Sequence, residues 1–260
     1  ITFAWRTHIY SEKMKKILSL ILFCLIVTNI SATDSPFHNE ESKLIEHAKE
    51  FFHNKNYSAA YRYTEDLLAE GIKNDEEKRE ADYISALSSY YLRNADAINK
   101  LQSYVINYPY ASELDKFNLY IGILQIEAGK HKNALELLEK VRRENLSEED
   151  INALLFYRGY AYIERKKYEE ASYEFGLLLK RNSEKYKIPA HYYYGYSQYR
   201  LENYSVALEN ILLAENDPSF REETPLLLCR LYFLLDNCEK STEYAKKIIA
   251  SGEIKKDKAE

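Results

Sequence analysis

Glycine and proline are scarce in this sequence, with 7 and 5 copies among 260 residues. A protein built from many short strands needs tight turns in which these two residues dominate, so their scarcity argues against an all-β fold. Apolar residues make up 46% of the chain, which is enough for a sizeable core. Helices are therefore the expected secondary structure. Tyrosine is the compositional outlier, with 25 residues.

Long apolar runs are also lacking, and the clearest one is short. It extends over the eleven residues from Ile17 to Val27, after the basic start Met14-Lys15-Lys16 and before a small residue at Ala32. At 1.5 Å per residue such a run spans about 16 Å, roughly half of a bilayer core. The pattern predicts a signal peptide over residues 14–32 rather than a membrane anchor, so no integral membrane span is expected.

Two features beside this run bear on the same segment. Cys24 lies inside the apolar run and follows the bulky Phe23, so a lipoprotein site is not expected. Residues 1–13 precede Met14, although a signal peptide does not usually begin thirteen residues into a chain. We therefore predict that residues 1–13 are a non-native upstream extension, and we leave them out of the fold.

Concentrated positive charge is missing, since no run of Lys and Arg exceeds three residues. The formal net charge is −5, and loss of residues 1–32, with four basic residues and one acidic residue, would make it −8. Neutralising nucleic acid phosphates requires a basic face, so we expect no nucleic acid partner.

Cysteine occurs three times, and Cys229 and Cys238 would remain after cleavage. An oxidising compartment would permit a disulfide between them. Their nine-residue spacing in a helical hairpin would place the Cα atoms beyond the limit of about 7 Å, so two buried small residues are the favoured interpretation.

Motifs of catalysis are absent from the sequence. It contains no HExxH, GxSxG, phosphate loop or CxxC motif, and His47 and His53 lack a carboxylate at ligand spacing. We therefore expect no enzymatic activity, no catalytic residues, no cofactor and no metal site.

A pair of small residues, twelve positions apart, recurs six times along the chain. The pairs are Ala48/Ala60, Ser85/Ala97, Gly122/Ala134, Gly159/Ala171, Gly195/Ala207 and Cys229/Ser241, offset by 37, 37, 37, 36 and 34 residues. Two helices that meet at their smallest side chains can approach to about 8 Å. The pairs therefore predict helical hairpins in contact at these residues.

One hairpin cannot bury its apolar surface alone, so we predict an all-α fold, an α-solenoid of about six stacked hairpins. The predicted array covers residues 41–252, after a linker at 33–40. The repeats lie near 41–74, 78–111, 115–148, 152–185, 188–221 and 222–252. Residues 253–260 form a polar tail that cannot provide the capping helix of a solenoid end, which indicates a truncated sequence.

The spacing resembles the tetratricopeptide repeat, which has the same small residue, an Ala twelve positions later and large residues between hairpins. The best copies are "LYIGILQIEAGKHKNALELLEKV" and "FYRGYAYIERKKYEEASYEFGLLL", and the resemblance covers about residues 41–252. It implies a right-handed superhelix that binds proteins. Four of the five periods exceed the usual 34 residues.

The resemblance also implies a partner-binding wall on the first helix of each hairpin, three positions before and one and four positions after the small residue. The selected positions in the later repeats are Phe156, Tyr160, Tyr192, Tyr196, Tyr199, Arg230 and Phe233. An exposed apolar, tyrosine-rich wall would suit a protein or peptide partner. The same rings could instead pack between helices or line a small-molecule site.

Together these features predict an exported bacterial interaction scaffold, located in the periplasm or associated with the outer membrane. Two other functions stay open. The chain could be the extracytoplasmic sensing or docking region of a larger envelope receptor, or a glycan-binding lipoprotein on the same scaffold. The glycan-binding alternative requires long insertions, and no connector in this sequence is long enough.

Overall fold

The computed structural model describes the backbone of residues 36–251 and the side chains of residues 43–250. The predicted upstream extension at 1–13, the signal peptide at 14–32 and the polar tail at 253–260 lie outside the described residues. Within 36–251 the chain forms α-helices joined by short turns and contains no strand. The expected all-α fold of helical repeats is confirmed.

Twelve α-helices and one short 3-10 helix make up the described part. They are α1 Pro36–His53, α2 Tyr57–Glu70, α3 Asp75–Leu92, α4 Ala97–Asn107, α5 Leu114–Glu127, α6 His131–Leu138, the 3-10 helix Arg143–Asn145, α7 Glu148–Glu164, α8 Tyr168–Lys180, α9 Lys187–Arg200, α10 Tyr204–Ala214, α11 Thr224–Leu234 and α12 Cys238–Ser251.

The described residues divide into two compact units, with the boundary between residues 88 and 89, inside α3. In the first unit, α1 and α2 form a hairpin whose fully buried Ala48 and Ala60 belong to a core completed by Ile45, Leu67, Ala81 and Ile84. Helix α1 begins at Pro36, within the stretch predicted as a linker. Proline suits a first helical turn, where its missing N–H needs no partner.

In the second unit, α5 with α6, α7 with α8, α9 with α10 and α11 with α12 form the hairpins. The glycines lie against the large residue sixteen positions later. A Cβ atom added to Gly122 would lie 2.5 Å from the side chain of Leu138, and one added to Gly159 would lie 2.9 Å from Phe175. The role of the glycine is therefore to leave room for a large side chain of the second helix.

The closest approach to Gly122 and Gly159 comes from a residue one helical turn beyond Ala134 and Ala171. Both alanines are fully buried on the second helices of their hairpins, α6 and α8. When a Cβ atom is added at Gly122, its three nearest atoms all belong to Leu138. When one is added at Gly159, the three nearest atoms all belong to Phe175. The reason is length: an alanine methyl group is short, whereas the large side chain one helical turn further on reaches across to the glycine.

The last two hairpins add direct contacts between the small residues themselves. A Cβ atom on Gly195 would lie 3.1 Å from the carbonyl oxygen of Ala207. Ser241 donates a hydrogen bond from Oγ to the carbonyl oxygen of Cys229, at 3.1 Å. The Cys229 thiol is half-buried and Cys238 is exposed at the first position of α12, which corrects the interpretation of two buried cysteines; both thiols are free.

The turn after each first helix has the same geometry in all six hairpins. One residue adopts a left-handed conformation, with φ between 57° and 72° at Lys55, Arg93, Gly129, Lys166, Glu202 and Asp236. The next residue donates its N–H to the carbonyl five positions back, as Lys167 does to Tyr162 at 2.9 Å. This Schellman arrangement satisfies the carbonyls at the helix end and reverses the chain.

Buried charges of the second unit are paired both within a hairpin and at the connector between hairpins. Asp115 accepts hydrogen bonds from the backbone N–H of Arg142 at 3.0 Å and from Asn145 at 2.6 Å, which anchors the connector before α7. Arg158 of α7 donates to Glu174 of α8 at 2.9 Å, and both side chains are buried. Each charge therefore has a hydrogen-bonded counterpart that offsets its desolvation.

Candidate functional site

Four partly exposed tyrosine rings lie together on the first helices of two successive hairpins. Helix α9 places Tyr193, Tyr196 and Tyr199 three residues apart, on neighbouring positions of one face. Helix α7 adds Tyr160, whose ring centroid lies 5.3 Å from that of Tyr193 at an angle of 80°. We call these four rings the aromatic surface.

Aromatic side chains below the surface hold Tyr193 in place. Its ring stacks on the fully buried Phe175 with the centroids 5.6 Å apart, and it contacts the edge of Phe156 at 6.0 Å. Phe156 in turn stacks on Tyr186 at 5.0 Å. These contacts support the Tyr193 ring from below, and a side chain fixed before binding lowers the entropic cost of binding a partner.

Tyr192 does not belong to the exposed surface, contrary to the expectation for its position in the repeat. Only 7% of the residue is exposed, its ring stacks on Phe220 at 4.2 Å, and its hydroxyl donates to Glu223 at 2.9 Å. Burial, with the nearby charge of Glu223 and the hydrogen bond to it, raises the pKa of Tyr192. The next hairpin therefore covers this ring, and Tyr193 is the residue at the surface instead.

The other predicted positions are distributed differently. Phe156 is half-buried in the base of the aromatic surface, whereas Arg230 and Phe233 are exposed on α11. Among the described residues, no aromatic ring contacts Phe233, although 67% of it is exposed. The structure thus brings Tyr160, Tyr196 and Tyr199 into one region and leaves the two α11 residues outside the group of contacting rings.

Negative charge adjoins the rings of α7 and α9. Burial raises the pKa of Tyr160, and the charge of Glu164, a hydrogen bond to it and the charge of Glu223 raise it further. Burial, the neighbouring Tyr160 and the charges of Glu223 and Glu164 also raise the pKa of Tyr193. Two carboxylates therefore act on the rings of Tyr160 and Tyr193.

A guanidinium group of the chain itself lies at the other end of the surface. The Cζ atom of Arg200 lies 4.3 Å from the centre of the Tyr168 ring and 6.0 Å from that of Tyr196. Arg200 also donates from Nη1 to the Tyr196 hydroxyl at 3.2 Å. The geometry is that of a cation held on aromatic faces.

The described residues contain no group of three or more His, Cys, Asp or Glu side chains that could hold a metal ion. Between residues 36 and 251, no helix combines the length and the apolar character that crossing a bilayer requires. The partly exposed rings with their adjacent carboxylates are therefore the feature from which we argue a function.

Comparisons with known proteins identify the fold. No protein-family model and no curated protein matches the sequence. Solved structures do: Pseudomonas aeruginosa PilF has a TM-score of 0.56 at 14% identity, over 80% of this chain and 90% of that one. PilW, described as a widely conserved type IV pilus biogenesis factor, has a TM-score of 0.53 at 16% identity, over 81% and 92%.

MamA from Desulfovibrio magneticus has a TM-score of 0.53 at 14% identity, over 69% of this chain and 96% of that one. These structures are of the tetratricopeptide type, and the resemblance seen in the sequence is confirmed at the level of the fold. At such low identities the likeness concerns the fold alone.

Proposed function

We propose that this chain is a non-enzymatic protein–protein interaction scaffold of the bacterial cell envelope. It binds a segment of a partner protein on the aromatic surface of α7 and α9. The observation that carries the proposal is the group of partly exposed tyrosines around Tyr193, whose ring stacks on the buried Phe175, since tyrosine contributes large contact area at protein interfaces for a small entropic cost.

The fold supports this proposal in two ways. Helical repeats stack into extended surfaces that other proteins use for recognition. The similar PilW is a pilus biogenesis factor, so a chain of this fold acts there in the assembly of an envelope structure. A signal peptide at residues 14–32, predicted from the sequence, would export this chain from the cytoplasm.

Partner capture with matched variants tests the proposal. The purified protein and the variant Tyr160→Ala/Tyr196→Ala/Tyr199→Ala are used as baits in envelope extract, and mass spectrometry identifies the proteins retained. We expect a defined set of proteins to bind the wild type and to be lost from the variant, because the variant removes most of the aromatic contact area. Tyr192 is left intact because it is buried.

The control is Tyr173→Ala, which removes an exposed tyrosine from the second helix α8. Circular dichroism and thermal unfolding establish that all three proteins are folded. Retention of the same proteins by wild type and the triple variant would contradict the assignment of the surface.

A further inference from the structure

The chemical class of the partner follows from the charges around the aromatic surface, and this step rests on the function proposed above. Other tyrosines of the second unit have a basic group of the chain itself close to the ring. Lys247 lies 4.4 Å from the centre of the Tyr244 ring, Lys185 lies 5.1 Å from that of Tyr186, and Arg93 lies 5.2 Å from that of Tyr90. Among the described residues, no Lys or Arg lies over Tyr160 or Tyr193.

Carboxylates adjoin these two rings instead. The charge of Glu164 acts on Tyr160, and the Glu164 side chain remains 38% exposed. Within ion-pair distance, the described residues offer it only His131, whose Nε2 lies 3.9 Å away and is charged only when protonated. The charge of Glu223 also acts on both rings. At neutral pH the part of the surface around Tyr160 and Tyr193 is therefore aromatic and negatively charged, whereas Arg200 lies on Tyr196 at the other end.

We propose that the aromatic surface binds a polypeptide segment rich in arginine or lysine. The basic heads pair with Glu164 and Glu223, and their aliphatic stems lie on the rings of Tyr160 and Tyr193. Arg200 lies on Tyr168 of α8 and on Tyr196 of α9, so a guanidinium is already accommodated on rings beside the Tyr160 and Tyr193 pair. Cation–π contact and ion pairing act at the same place, and each adds affinity for a cation.

Labelled peptides test this class directly. A fluorescent peptide of about twelve residues with Arg at every third position is compared with counterparts carrying Gln or Glu there, by fluorescence anisotropy with the intact protein. We expect the Arg peptide to bind at least about tenfold more tightly than the Gln peptide and the Glu peptide to bind more weakly still. Added salt should weaken binding of the Arg peptide, because salt screens the ion pairs.

Two double variants with the same change in net charge locate the effect. Glu164→Gln/Glu223→Gln keeps an amide oxygen as the acceptor of the Tyr192 hydroxyl, and should weaken binding of the Arg peptide about fivefold to tenfold. Glu169→Gln/Glu209→Gln removes two exposed charges from the second helices α8 and α10, and should change the affinity less than about twofold.

Equal binding of the Arg and Gln peptides, an equal effect of the two double variants, or no binding of any peptide would overturn the inference. Failure of the proposed function itself is recognised separately. If the peptide test fails but the triple tyrosine variant loses the captured proteins, the aromatic surface is a binding site for a segment of other chemistry. If that variant retains them, the surface is not the binding site.

Discussion

At the scale of the residue, the repeat depends on glycine positions, whose lack of a side chain leaves space for a large neighbouring one. Gly159 is buried against the ring of Phe175, and an added Cβ atom would lie 2.9 Å from it. Gly176 lies on the second helix of the same hairpin, where an added Cβ atom would meet Tyr194 at an ordinary 3.5 Å. The two glycines are chemically identical, and only the first of them makes room for a neighbouring side chain.

We expect Gly159→Ala to lower the free energy of unfolding by about 1–3 kcal/mol, because the fully buried Phe175 ring cannot move aside. Gly176→Ala should raise it by up to about 1 kcal/mol, because alanine favours the helix and makes a normal contact. Urea denaturation of both variants measures the difference. Equal effects of the same sign would show that the close approach at Gly159 is not specific.

Tyr192 provides a second test at this scale, because it separates packing from partner binding. Tyr192→Phe removes the hydrogen bond to Glu223 while keeping the stack on Phe220, and should cost about 1 kcal/mol of folding free energy. The same captured proteins should bind to the variant with unchanged retention. A loss of binding without a loss of stability would return Tyr192 to the partner surface.

At the scale of the element, the turns between paired helices share one backbone conformation, although the amino acids that form them differ. Each contains a left-handed residue, yet only one of the six is a glycine, Gly129 with φ of 72°. The others are basic or acidic residues, which strain the backbone in this conformation. The hydrogen bond across the turn, as from Lys167 to Tyr162, offsets that strain.

A reciprocal pair of substitutions tests this interpretation. Lys166→Gly should raise the free energy of unfolding by up to about 1 kcal/mol, because glycine adopts a positive φ without a steric cost. Gly129→Ala should lower it by about 1 kcal/mol through backbone strain, since an added Cβ atom would contact nothing within 4 Å. Chemical denaturation of both proteins decides the signs, and a stabilising Gly129→Ala would contradict the geometry.

Asp115 anchors the connector between two hairpins, and its contribution depends on pH. Burial alone would raise the pKa of this carboxyl, but hydrogen bonds from Arg142 and Asn145 and the charge of Arg142 outweigh it, and the pKa lies below the ordinary 3.8. The carboxylate therefore stabilises the fold above that ordinary value, and the contribution is lost as the pH falls through the lowered pKa.

We expect Asp115→Asn to destabilise the protein at pH 7 and the gap between the two proteins to close on acidification below about pH 4. Urea denaturation of wild type and variant at a series of pH values measures it. The variant Asp217→Asn, at an acidic residue in the connector before α11, is the control. A gap that stays constant down to the acid limit would show that the charge of Asp115 does not matter.

At the scale of the whole molecule, an acidic net charge and a predicted export signal define the setting in which the repeats act. The formal net charge is −5 and becomes −8 if residues 1–32 are removed. An acidic surface attracts basic partners and speeds their encounter at low ionic strength. This property agrees in sign with the carboxylates beside Tyr160 and Tyr193.

Export is tested by expressing the chain from Met14 in a bacterium and determining the N-terminus of the product. We expect the protein in the envelope fraction to begin at Thr33, because the signal peptide is cleaved after a small residue, Ala32. Replacing Leu20 and Leu22 by Lys should interrupt the apolar run and keep the protein in the cytoplasm. A product that retains the apolar run while anchored in a membrane would contradict a cleaved signal.

The sequence by itself determined the helical repeats, because a hairpin contact and a turn are local and recur at a nearly constant spacing. Glycines such as Gly122 and Gly159 indicate where helices approach, and the atoms nearest to an added Cβ belong to Leu138 or Phe175, sixteen positions later. The length of a side chain on the opposite helix decides that contact, and spacing alone does not reveal it.

Only the tertiary structure decided which tyrosines face outward. Tyr192 and Tyr193 are adjacent and chemically identical, yet Phe220 and Glu223, about thirty residues later, cover the first ring and leave part of the second exposed. The division of the rings between packing and surface depends on how the next hairpin lies against α9. Contacts between residues distant in sequence set that arrangement, so the sequence of a single repeat does not predict it.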